Sequence, residues 1–148
     1  MKTKKLARGA AITALYIAIT YFLAPVSFGP IQFRAAEALT VLPIIFPEAV
    51  PALFLGVLLA NIIGGLGMVD IIGGSLVTLL AAYVTYKNRN NIIAYLSPIL
   101  FNAFLISIYL HLLFSLPYWL TVLQIGASEA VVVVILGIPL VKYLKQHF

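Results

Sequence analysis

The sequence predicts an all-α integral membrane protein of six transmembrane helices, with both termini in the cytoplasm. Three observations carry that reading. Of the 148 residues, 64% are hydrophobic and only 9% are charged, whereas a soluble domain of this size holds about 25% charged residues. A surface so poor in charge would aggregate in water, so the solvent is lipid. The apolar runs are long, and short polar, proline or glycine breaks separate them. Finally, eight of the nine lysines and arginines flank those runs: Lys2, Lys4, Lys5, Arg8, Lys87, Arg89, Lys142 and Lys145. Positive residues in these places mark the cytoplasmic side and meet lipid head groups. Their positions account for the net charge of +5 without nucleic acid.

The elements follow in order. Helix 1 is predicted over residues 6–23 and ends at Ala24-Pro25, because a residue before proline avoids the helical region. Its first apolar run outlasts a signal-peptide core and has no small-residue cleavage site, so it is expected to stay as a helix. One face carries Ala7, Ala10, Ala11, Ala14 and Ala18. Small residues four apart let another helix backbone come close in lipid, either within this chain or from a partner. Residues 24–34, with Pro25, Gly29 and Pro30, form an outer loop. Helix 2 starts near Phe33 and stops at Pro43 or Phe46. At 1.5 Å per residue it reaches roughly 20 Å, short of the ~30 Å hydrocarbon core, so it must be surrounded by protein or face a cavity. Helix 3 begins at Pro47-Glu48 and runs to Ile63, with Gly56, Ala60 and Gly64 forming a second close-packing seam. Gly64-Gly65-Leu66-Gly67 is a turn, and helix 4 runs from Asp70 to about Tyr86. Helix 5 covers residues 92–114 after a polar inner loop, and helix 6 covers residues 118–144 after an outer turn with interfacial aromatics.

Polar groups inside this frame stand out. The segment from Phe28 to Ser75 holds Glu37, Glu48 and Asp70, three of the four acidic residues, and Arg34, the one basic residue apart from the clusters. Arg34 and Glu37 are three apart and can share a helix face, as a rim salt bridge or as the lining of an outward cavity. Glu129 lies about ten residues, hence ~15 Å, into helix 6, where a charged carboxylate costs about 2.5–3.5 kcal/mol. No lysine or arginine lies at its depth, so it needs a ligand, water or a proton. Gln124 and Ser128 extend a polar face on the same helix, and Asn102 and Tyr109 share a face of helix 5. Asn61 and Asp70 add an amide and a carboxylate near the outer ends of helices 3 and 4. Glu48 should lie near Arg8 in depth and serve structure or a partner. His111 reads as a hydrogen-bonded packing residue.

Several chemistries are excluded. With no cysteine there is no thiol catalysis, disulfide or thiolate metal site. No HExxH spacing, nucleophile elbow or phosphate-binding glycine loop is present, so neither enzyme activity nor a cofactor is expected. Without a nucleotide site, any ATP-driven step belongs to another chain. A stand-alone carrier, with carboxylates moving protons or Na⁺ alongside a small polar or cationic solute, is the alternative.

The run FGPIQFRAAEALTVLPIIFPEAVPALFLG, followed by LANIIGGLGMVDIIGGSLVTLLAA, resembles the QueT family, substrate-binding S components of energy-coupling factor transporters. The likeness is dense from Phe28 to Ala82, and the six-helix outline spans residues 1–148 as one membrane domain. The resemblance implies a subunit that binds a queuosine precursor, a deazaguanine base or queuine, from outside the cell membrane. It implies docking onto a transmembrane coupling subunit that carries two ATPase subunits. An AxxxA pair on helix 1 would make that contact, best matched by Ala10 and Ala14, with Ala7 and Ala11 as the other register. The ligand would sit in the outer half, under the loop after helix 1 and among helices 4, 5 and 6. Its N–H edge suits Glu129 or Asp70 as a bidentate acceptor, its carbonyl and ring nitrogens suit Asn102, Gln124 and Asn61, and its flat face suits an aromatic such as Tyr109. Arg34 and Glu37 would close the outer loop.

Overall fold

A short 3₁₀ helix, Ala35–Ile44, runs through the middle of the molecule, and nine of its ten residues are buried. The computed structural model describes residues 2–23, 34–65 and 67–147, so the outer loop expected over most of residues 24–34 lies outside the described residues. Helix 1 is Lys2–Phe22, the 3₁₀ helix is helix 2, and helix 3 is Ala49–Ile63. Helix 4 opens with a π turn, Asp70–Gly74, and continues as Ser75–Lys87. Helix 5 is Ile93–Phe114 and helix 6 is Tyr118–His147. Among the described residues there is no strand.

Helix 2 touches all five of the others. That answers the problem its length poses, since a half-length helix in hydrocarbon needs protein around its ends. A 3₁₀ helix was not expected. It rises about 2.0 Å per residue, so ten residues stretch further than an α-helix would. The Thr40 hydroxyl donates to the Glu37 carbonyl at 2.6 Å, and the Glu37 amide bonds Arg34 in an i→i−3 step. Pro43 removes one further donor from the run.

Helix 1 packs on helix 3 through Gly9, Ile12, Thr13 and Tyr16. A Cβ added at Gly56 would lie 3.0 Å from the Cβ of Tyr16, so the two backbones are as close as a glycine permits. Ala60 is buried in the same cluster, while Gly64 is exposed. The alanine stripe of helix 1 is not part of this seam: Ala7, Ala10, Ala11, Ala14 and Ala18 are all exposed. Near the N-terminal end of helix 1, Arg8 and Glu48 form an ion pair at 2.5 Å, with the guanidinium 4.4 Å from the Phe46 ring centroid. The two residues meet as their depths predict.

Helices 4 and 5 meet through small residues and two side-chain bonds. Pro98 cannot donate to the carbonyl of Ala94, and the Thr85 hydroxyl does so instead at 3.0 Å. The Ser97 hydroxyl bonds the Ala81 carbonyl at 2.9 Å. Further π turns interrupt helix 5 at Asn102–Ile106 and helix 6 at Val133–Gly137. None of the three π turns was expected, and Gly73 and Gly74 lie inside one of them.

Helices 5 and 6 are long and apolar enough to cross a membrane. Leu15, Leu55, Leu80, Leu100, Ile108, Leu123 and Ile135 all point outward. Apolar surface on every side of a monomer is what lipid, and not water, accommodates.

Candidate functional site

The polar residues of five elements converge on one cavity. Arg34 and Glu37 from the start of helix 2, Asn61 from helix 3, Asp70 from helix 4, Asn102 and Tyr109 from helix 5, and Glu129 from helix 6 all line it. Val57, Thr78, Ile106 and Ile125 supply apolar and hydroxyl wall. The hollow measures about 30 Å³, room for one water. Ligand pockets for small molecules run to roughly 300–1,000 Å³, so the hollow as it stands is smaller than a base-sized solute needs.

Each side chain is held by a specific contact. One Glu37 carboxylate oxygen accepts the hydroxyl of Tyr16, itself fully buried on helix 1. The other, Oε2, has no donor. Glu129 lies close enough to Glu37 and Arg34 to feel both electrostatically, and its Oε2 also lacks a donor. Arg34 lies in the same electrostatic cluster as Tyr16, Glu37 and Tyr109. Asp70 Oδ1 accepts the Tyr109 hydroxyl at 2.6 Å, and the Asp70 carbonyl accepts Asn61 Nδ2 at 3.0 Å. Asn102 Nδ2 donates to the Pro98 carbonyl at 2.8 Å.

Two π turns shape the cavity. Asp70 and Gly74 belong to the first, Asn102 and Ile106 to the second, and all four line the hollow. A widened turn re-aims the side chains that follow it, which is a common device at functional sites. Gly74 lets the Asn61 amide approach: a Cβ there would sit 3.0 Å from Nδ2. The ring of Tyr109 rests against Gly73 in the same way, at 3.3 Å from a would-be Cβ.

Gln124 does not join the group. It is exposed and does not line the cavity, because residues five apart on an α-helix lie roughly 140° apart around the axis, and Glu129 takes the inward side. Ser128 is buried but outside the lining. His111 is exposed and bonds the Leu116 carbonyl at 2.6 Å, edge-on to Tyr118. Tyr16 was not foreseen. Its signal is the polar stripe Thr13, Tyr16 and Thr20 at helical spacing, opposite the alanines. No group of three metal-ligating side chains occurs among the described residues.

Ala10 and Ala14 lie elsewhere, in an open groove of about 700 Å³ between helices 1 and 3 that is also lined by Gly9, Thr13, Ala52 and Leu55.

Neither the comparison with curated proteins nor that with solved structures gives a match. The family model described as QueT transporter matches residues 6–146. That span reaches into every helix described above and takes in every residue of the cavity, and the chain therefore belongs to the QueT transporter family.

Proposed function

We propose that this chain is the substrate-binding S component of an ATP-driven energy-coupling factor importer, and that it takes up a queuosine precursor of the deazaguanine type. The observation that carries the reading is the convergence of Glu37, Asp70, Asn102 and Glu129 on one buried cavity within a chain of a transporter family. Such groups are costly in lipid and are kept where a polar solute binds. Transport, not catalysis, is the role of such a family, and no reaction is assigned to these carboxyls. In this reading six helices span the cell membrane with both termini inside, and the solute enters from the outer face. The exposed Ala10–Ala14 stripe meets the transmembrane coupling subunit, and two separate ATPase subunits supply the energy.

Reconstituted vesicles test the proposal. Uptake of a labelled deazaguanine base should require this chain, the coupling subunits and internal ATP together. Uptake by this chain alone, driven by a proton or Na⁺ gradient, would overturn it in favour of a stand-alone carrier.

A further inference from the structure

The groove beside helix 1 is a different kind of space from the central cavity. At about 700 Å³ it falls within the range of pockets that hold small molecules. Leu6, Ala10, Ala14 and Ile17 of helix 1 form one wall, and Ala52 and Leu55 of helix 3 form the other. The only hydroxyl in its lining, on Thr13, already donates to the Ala52 carbonyl at 2.9 Å. The body of the groove therefore asks for apolar contact. From Leu6 to Ile17 it follows helix 1 for about 16 Å, which matches one leaflet, half of the ~30 Å hydrocarbon core.

Charge is gathered at one end. Lys2 and Lys5 line the groove where helix 1 begins, both exposed, and neither has an ion pair among the described residues. Glu48, the one acid in the lining, is bonded to Arg8 at 2.5 Å, and its other oxygen is buried, so it does not neutralise the two lysines. The basic residues between helices 4 and 5 are engaged otherwise: Lys87 and Arg89 lie over the rings of Tyr83 and Tyr86. An apolar trough one leaflet long, with two free ammonium groups at its end, has the complementary chemistry of an anionic lipid. We propose that this groove is a binding site for an anionic phospholipid, with one acyl chain lying from Leu6 to Ile17 and the phosphate on Lys2 and Lys5. The groove is also where Ala10 and Ala14 are exposed, so the lipid fills it while the chain stands alone.

Native mass spectrometry of the delipidated full-length protein in detergent tests this, with equimolar phosphatidylglycerol and phosphatidylcholine of the same acyl chains as probes. One phosphatidylglycerol should be retained per chain, in about tenfold or greater preference to phosphatidylcholine, the size that two lysines near a lipid surface give. Replacing both lysines, Lys2→Gln with Lys5→Gln, should bring the two lipids to parity. Replacing Lys142→Gln with Lys145→Gln, which are outside the groove lining, should leave the preference as it was. Ala14→Leu, which fills the trough, should reduce retention of both lipids, and Ala10→Leu gives the same readout if the first variant does not fold. Equal retention of the two lipids by the unaltered chain overturns the proposal. So does an equal loss of preference in the two lysine pairs, which would mean diffuse charge and not a site. Undiminished retention in the leucine variants, or a dimer mass without lipid, overturns it as well, the latter in favour of a second copy of this chain.

Discussion

Tyr16 and Glu37 show how a single contact holds the site together. The phenol of a fully buried tyrosine on helix 1 donates to a carboxylate on helix 2 that has no second donor for its other oxygen. Removing one partner from a buried hydrogen bond costs about 1–3 kcal/mol. Tyr16→Phe is expected to lower unfolding free energy by that amount in detergent, and by clearly less in a Glu37→Met background, which has no acceptor for the hydroxyl, because the two side chains act on each other. An equal loss in both backgrounds would mean that the hydroxyl does not serve the carboxylate. The acids and amides of this site were legible in the sequence because a carboxylate or amide in an apolar run has so few reasons to be there. Glu37, Asp70, Asn102 and Glu129 announce themselves in that way. Tyr16 does not, since a tyrosine in an apolar helix looks like packing until its hydroxyl is seen to have a partner. Gln124 misleads for the opposite reason: it is as polar as Asn102, yet it lies on the outward side of helix 6.

The seam between helices 1 and 3 depends on Gly56. A Cβ there would meet the Tyr16 Cβ at 3.0 Å, and neither backbone has a flexible side-chain end to move aside. Gly56→Ala should cost about 1–3 kcal/mol, the range for overpacking, and weaken solute binding through the displaced Tyr16. Gly126→Ala, whose Cβ would sit 3.4 Å from the Ala103 Cβ, should cost far less. Thermal melts of the two variants in one detergent check this, and identical melting temperatures would remove the seam from the account. Prolines, glycines and charges make the helix ends readable. The π turns and the 3₁₀ winding of helix 2 leave no such mark. A change from 3.6 residues per turn shifts periodicity detectably only where one face is polar, and Asn102–Ile106 is apolar on almost every side.

The molecule has two surfaces of different kind: a small polar cavity among the helices, and an open groove along helix 1 in which Ala10 and Ala14 are exposed. They touch different residues, so they should separate by mutation. Ala14→Leu is expected to leave solute affinity in detergent unchanged and to abolish ATP-dependent uptake in vesicles containing the coupling subunits. Normal uptake by this variant would exclude the alanine stripe from docking. The count of six helices was legible from charge and proline alone. The burial of helix 2 was legible in its short length, but which faces of the longer helices meet protein was not, because in lipid an outward face and a protein-facing face are both apolar.

The hollow at the centre, about 30 Å³, is far smaller than the pockets that hold small molecules. The side chains that line it must turn or shift to seat one, so the affinity measured for any solute is its contact energy less the cost of that rearrangement.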